Sequence, residues 1–193
     1  MLRYSSFDKF ALEFSPAAAP SVVSGHFHFG LHEYFERTVY LIILRDPVER
    51  VRSLFSYIRQ NPKHRLHAHL NGEAFDLAEL YRSEKVARGV QFHDGQVRQL
   101  NFYHVKGIEK LTSAHLRFAL DVLHREDVVV GFVDTLDLAV ANLGKRLDIE
   151  IPSVPVTNAS ASAQIDPKWD ELVREYNQLD CQLYDSARAH WGP

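Results

Sequence analysis

The amino-acid sequence predicts an α/β domain built on a mainly parallel sheet flanked by helices, and two observations carry that expectation. Continuous apolar runs, TVYLIIL over residues 38–44 and VVVGFV over 128–133, mark strands covered on both faces, as in a parallel sheet. Each run is followed by apolar residues at helical spacing, and strands alternating with helices need the crossover connections of parallel pairing. With 193 residues, 46% hydrophobic and 24% charged, the chain has the size of a single domain and can bury a sizeable core.

Taken in order, Phe7, Phe10, Ala11 and Phe14 follow helical spacing and predict a short amphipathic helix before the loop SPAAAP. A short strand is expected at 21–23, then a histidine-rich turn around Gly25, then the strand that ends at Leu44. Asp46 is a good N-cap, Pro47 suits the first helical position, and Glu49 gives a near capping box. Val48, Val51, Leu54, Phe55 and Ile58 form the apolar stripe of this helix, which should stop near Asn61-Pro62. KHRLHAHLNG reads as a loop and EAFDLAELYR as a short helix. A helix over 113–124 precedes the second strand, and Leu136, Val140, Leu143 and Leu147 mark the next helix. After the Pro/Ser-rich loop IPSVPVTNASASAQ, a final helix opened by Asp166-Pro167 should bury Trp169, Leu172, Val173, Tyr176, Leu179 and Leu183.

The stretch LIILRDPVERVRSLFSYIR raises the functional question. In open parallel sheets ligands gather where strands end and helices begin, because loops are free there and helix N-termini favour anions. Arg45 stands at such an end, and Ser53 lies about two helical turns past Asp46, off the apolar stripe. A guanidinium and a hydroxyl on one side of a helix entrance suit a phosphate, each charge-assisted bond being worth roughly 1.5–3 kcal/mol. On spacing alone, an ion pair of Arg45 with Asp46 or Glu49 is the simpler explanation.

The segment LRDPVERVRSLFSY resembles the one that binds the 3'-phosphate of the sulfate donor in sulfotransferases, in the branch of heparan sulfate 2-O-sulfotransferase-like carbohydrate sulfotransferases. SGHFHFG is similar to that family's Gly-His turn, GQVRQL to the stretch between its two halves, and VVVGFVDTLDLAVANLGKRLDI to its late strand and helix. TNAS and YNQLDCQLYDSA resemble its cofactor-side loop and closing helix. The resemblance runs from about Val22 to Ala187 in consistent order.

It implies a P-loop NTPase-like sulfotransferase fold, 3'-phosphoadenosine 5'-phosphosulfate as co-substrate, and a hydroxyl acceptor, a carbohydrate in that branch. Arg45 and Ser53 would grip the 3'-phosphate, and His26 would be the catalytic base. Asn158 and Ser160 would approach the nucleotide, and Arg98 would reach donor or acceptor. His28 and His32 lie close to His26, so the residues alone do not single out the base. The family's Pro-Lys-Thr-Gly-Gly-Thr type of loop, whose backbone N–H groups cradle the 5'-phosphosulfate, has no counterpart before Gly25. The chain therefore reads as starting inside the fold, without the first strand and loop, and catalysis by this chain alone is expected to be poor or absent. The rival expectation is a sulfotransferase-like binding or interaction module that does no chemistry. A nucleotide kinase is disfavoured, since no G-x-x-x-x-G-K-[ST] loop occurs.

Other features narrow the classes. A net charge of −3 gives no support to a nucleic-acid surface, which normally carries a basic excess. His64, His67 and His69 lack a frame of cysteines or carboxylates, so no metal is expected. Arg50, Arg52 and Arg59 are expected on a solvated or acceptor-facing helix side. The single cysteine, Cys181, excludes an internal disulfide, fits a reducing compartment and reads as a buried structural thiol. No apolar run approaches the roughly 20 residues of a membrane span, and MLRYSSFDKFALEF lacks a signal peptide's apolar segment. A soluble protein of the cytoplasm is expected, or of the Golgi lumen if the chain is a domain excised from a eukaryotic enzyme. The acceptor's identity stays open, and a homo-oligomer is compatible with the sequence.

Overall fold

The computed structural model describes residues 2–4, 23–25, 29–33, 35, 37–72, 76–83, 92–101, 109–152 and 169–193. The strands among them are β1 (Leu2–Tyr4), β2 (Val23–Gly25), β3 (Tyr40–Leu44) and β4 (Val128–Phe132). The α-helices are α1 (Pro47–Gln60), α2 (His67–Leu70), α3 (Leu77–Arg82), α4 (Gly95–Leu100), α5 (Ser113–Leu123), α6 (Leu136–Leu147), α7 (Asp170–Tyr176) and α8 (Gln178–Trp191). The class is α/β with parallel pairing, β1 on β2 and β3 on β4.

The two long apolar runs pair with each other in register, Leu41 opposite Val129 and Leu44 opposite Phe132. Gly131 lets α6 come close to this pair, since a Cβ there would lie 2.2 Å from the Ala139 Cβ and 3.0 Å from the Ile43 Cδ1. The helix α1 begins as its sequence dictates. The Asp46 carboxylate accepts hydrogen bonds from the N–H groups of Val48 and Glu49, at 2.9 and 3.0 Å, and Pro47 takes the first helical position. Glu49 does not complete a capping box; its carboxylate turns to Arg52 instead, 2.7 Å away.

Three expectations shift. A strand, Leu2–Tyr4, occupies the N-terminal stretch, and the second strand is described at Val23–Gly25, meeting the expected 21–23 at Val23; residues 21–22 and the helix expected at 7–14 lie outside the described residues. KHRLHAHLNG contains the single turn α2, not a loop throughout. The closing helix is two helices, α7 and α8, separated at Asn177.

Buried apolar side chains form two clusters. One gathers Leu44, Val130 and Phe132 of the strands with Val97, Leu116, Leu123, Leu183 and Ala187. The other gathers Val48, Val51, Phe55 and Ile58 of α1 with Leu77, Leu80, Tyr81, Phe92 and Val173. Each fully buried side chain of this size contributes about 1.5–3 kcal/mol relative to exposure. Besides the long passage from Phe132 to Val173, the backbone goes from one cluster to the other by three short ones, between Leu44 and Val48, between Phe92 and Val97, and between Val173 and Leu183. The polar residues of interest lie in these three crossings.

Candidate functional site

The first crossing is the seam between β3 and α1. Strand pairing ends at Leu44 opposite Phe132, and the helix starts at Pro47, so Arg45 stands between two regular elements. Its N–H donates to the Gln96 Oε1 at 2.9 Å, and its carbonyl accepts from the Gln96 Nε2 at 3.0 Å. The Arg45 side chain keeps 34% of its surface exposed, and its salt bridge to Glu49 is long, at 4.0 Å. Glu49 is held more closely by Arg52, whose other guanidinium nitrogen bonds Asp170 at 2.6 and 2.8 Å, tying α1 to α7. Ser53 is partly buried on α1, two turns beyond Asp46. Because the Asp46 carboxylate already occupies the first N–H groups of α1, an anion at the seam would be gripped by side chains, not by the helix end.

The second and third crossings lock together. Asp94, at φ 46° in the left-handed region, accepts from the N–H groups of Leu179 and Asp180, at 3.0 and 3.1 Å. Asp180 in turn accepts from the N–H groups of Gln96, at 3.0 and 3.1 Å to its two oxygens, and Val97, at 2.8 Å. Each aspartate thus caps the helix that begins beside the other, satisfying N–H groups that no intrahelical partner could take. Asn177 explains the break in the closing helix. Its Oδ1 accepts the Asp94 N–H at 2.8 Å, while its Nδ2 donates to the Val173 carbonyl and to the Tyr81 hydroxyl, at 2.8 and 3.2 Å. Tyr81 donates to the Phe92 carbonyl at 3.1 Å and stacks on Tyr176, with centroids 4.5 Å apart; burial pushes its hydroxyl well above the ordinary tyrosine value.

Arg50 supplies the positive charge of this joint. Its guanidinium lies flat against Gly95, where a Cβ would come within 2.1 Å of Nη2 and 2.6 Å of Cζ. Burial pulls its pKa down, and the charges of Asp180, Tyr81 and Asp94 push it back up. Burial, with help from Asp94, raises the Asp180 carboxyl above the usual range, opposed by Arg50 and by the N–H bonds from Gln96 and Val97.

Of the predicted site residues, the structure describes Arg45, Ser53 and Arg98. Arg45 and Ser53 lie on the β3–α1 connection and on α1. Arg98 is only 7% exposed, and its Nη2 donates to the Glu109 carbonyl at 2.9 Å. His26, His28, Asn158 and Ser160 lie outside the described residues. His32 is described, and its Nδ1 lies 2.8 Å from the Tyr40 hydroxyl. The three arginines of α1 do not share one solvated face. Arg50 turns inward, Arg52 bridges Glu49 and Asp170, and Arg59 bonds Asn71 at 3.0 Å and lies over the Phe55 ring. Burial raises the Cys181 thiol pKa, and the thiol is free and partly buried. Among the described residues no group of histidines, cysteines and carboxylates could hold a metal ion, and no helix is long and apolar enough to cross a membrane.

Gln96 and the Asp94–Asp180–Arg50 joint were not singled out from the sequence. Two signals were available there: Asp94-Gly95 is a turn dipeptide, and Asn177 is a poor helix former inside a helical pattern. Comparison with protein-family models, with curated proteins and with solved structures finds no match to this chain.

Proposed function

We propose that this chain is a sulfotransferase-type domain with the P-loop NTPase-like layout, acting on 3'-phosphoadenosine 5'-phosphosulfate and a hydroxyl acceptor of carbohydrate type. The observation that carries the proposal is the state of Arg45 at the end of β3. Its backbone is fixed by Gln96, its guanidinium is a third exposed, and among the described residues its salt bridge, to Glu49, is stretched to 4.0 Å. A cation held at its base and loosely paired at its tip suits an incoming phosphate better than a latch. Together with the register of Arg45, Asp46, Pro47 and Ser53, this supports the 3'-phosphate grip.

The reaction is an in-line transfer. The acceptor oxygen forms a bond to sulfur as the bond from sulfur to the 5'-phosphate oxygen breaks, and the nucleotide leaves with that electron pair. His26 takes the acceptor's proton, a contribution of roughly 10²–10⁴-fold. Histidine suits the role because its unperturbed pKa of about 6.5 leaves it largely neutral near pH 7. Asn158 and Ser160 contribute contacts to the nucleotide.

Calorimetry with 3'-phosphoadenosine 5'-phosphate tests the grip. The wild-type chain binds, and Arg45→Ala weakens binding by about tenfold or more, the worth of one charge-assisted contact. Equal affinity in the two chains, or no binding by either, overturns the grip. A turnover assay with labelled donor then separates the enzyme from a nucleotide-binding module, and activity surviving in His26→Ala removes His26 as the base.

A further inference from the structure

We infer that Gln96 is the positioning residue for the Arg45 grip, an inference that rests on the phosphate-binding reading of that arginine. Arg45 lies past the last strand pair, Leu44 opposite Phe132, and ahead of the first helical residue, Pro47. The N–H and the C=O of Arg45 itself bond to a side chain, not to the sheet or the helix. The Gln96 carboxamide holds both, accepting the N–H at 2.9 Å and donating to the C=O at 3.0 Å of the same residue. A residue held at both its N–H and its C=O has a set φ and ψ, and so a set direction for its Cα–Cβ bond. Gln96 takes over the role of the missing strand partner.

The carboxamide is itself firmly based. Gln96 is 8% exposed, and its own N–H is bound by both oxygens of Asp180, at 3.0 and 3.1 Å. Asp94 caps the helix that carries Asp180, and Arg50 packs on the adjoining Gly95. The chain of contacts runs from the buried joint through Gln96 to the backbone of Arg45 and ends where the guanidinium meets solvent. Charge-assisted contacts depend on geometry at the level of one ångström. A neutral, bidentate amide fixes the backbone of Arg45 without competing for its positive charge. A carboxylate in the same place would do so.

The test compares affinities for 3'-phosphoadenosine 5'-phosphate and for adenosine 5'-monophosphate, which differ only in the 3'-phosphate. Their ratio reads the Arg45 grip and is insensitive to a uniform loss of folding or adenine binding. The wild type favours the bisphosphate, and Arg45→Ala loses that preference. Gln96→Met keeps the length of the side chain and removes both bonds; its ratio falls by about tenfold, the order expected for two neutral hydrogen bonds, with monophosphate affinity unchanged. Gln96→Asn keeps a neutral carboxamide on a side chain one methylene shorter, too short to make both bonds, and lowers the ratio in the same way, which also carries the test if the methionine variant does not fold. A wild-type ratio in either Gln96 variant, with the preference lost in Arg45→Ala, overturns the positioning role while leaving the grip intact. A wild-type chain that fails to distinguish the two nucleotides removes the grip itself, and the role of Gln96 with it.

Discussion

Arg45 and Arg50 stand five residues apart at the start of one helix and meet opposite environments. Arg50 is laid against Gly95 in the company of Asp94 and Asp180, two of the few buried charged residues. Arg45 keeps its guanidinium a third exposed and loosely paired. The difference lies in what each charge is set against. A partly buried cation set against buried carboxylates is committed, because removing it strands the anions in a medium that solvates them poorly. A cation fixed by its backbone and not by its charge remains available to a ligand. One helix entrance thus carries a structural arginine and a candidate binding arginine, and Gln96 connects them.

The pair of substitutions Arg50→Ala and Arg45→Ala tests this contrast most severely. Arg50→Ala leaves Asp94 and Asp180 buried together without their cation, and should cost about 3–5 kcal/mol of unfolding free energy. Arg45→Ala should change stability by no more than about 0.5 kcal/mol, as at a surface site away from special features. Urea titration of the two variants measures both. Similar losses in the two would abolish the distinction between a committed and an available charge.

Gly95→Ala sharpens the same contrast from the other side. The added Cβ meets the Arg50 guanidinium at 2.1–2.7 Å, so the guanidinium must leave the face of α4. It is the far end of a flexible side chain and can move, but only out of a packed joint. The expected cost is about 1–3 kcal/mol, the range of overpacking. Thermal unfolding of Gly95→Ala alone and combined with Arg50→Ala checks the cause. If the glycine matters because it seats the arginine, the two losses are strongly non-additive. Full additivity would assign the cost to the backbone.

The contrast also separates what the sequence announces from what it hides. The strand ending at Leu44, the Asp46 cap, Pro47 and the apolar stripe of α1 were legible because each rests on neighbours in the chain, through period or capping chemistry. Arg45 was legible for the same reason, as a cation at a strand end. The joint was not, since Asp94 and Asp180 cap helices far from themselves in sequence: the bond from Gln96 to Asp180 spans 84 residues. Local patterns predict who sits at a helix end, but not whose carboxylate arrives there. The same limit explains Arg50, which was expected on a solvated face with Arg52 and Arg59. Helical spacing gives its azimuth, and only the arrival of Gly95 determines that this azimuth is enclosed.

The smallest effect is expected where an arginine is paired yet left in water. Arg125 bonds Asp127 through Nε and Nη2, both at 2.8 Å, and the two side chains keep 40% and 26% of their surface exposed. The Arg125 hydrogen bonds hold the Asp127 carboxyl below the usual range, against a smaller opposing effect of burial. A carboxyl whose value is lowered on folding stabilises the fold above the unfolded aspartate value of about 3.9. That stabilisation is lost as the pH falls through the lower, folded value. Asp127→Asn should therefore cost only about 0.2–1 kcal/mol at pH 7 and low salt, and less at high salt. Its difference from the wild type should vanish under acid. Urea midpoints of both chains at pH 7 and near pH 2, with and without added salt, measure it. A difference that persists in acid, or that resists salt, would mean that this exposed pair is committed in the manner of Arg50, and that exposure alone does not decide which arginines are available.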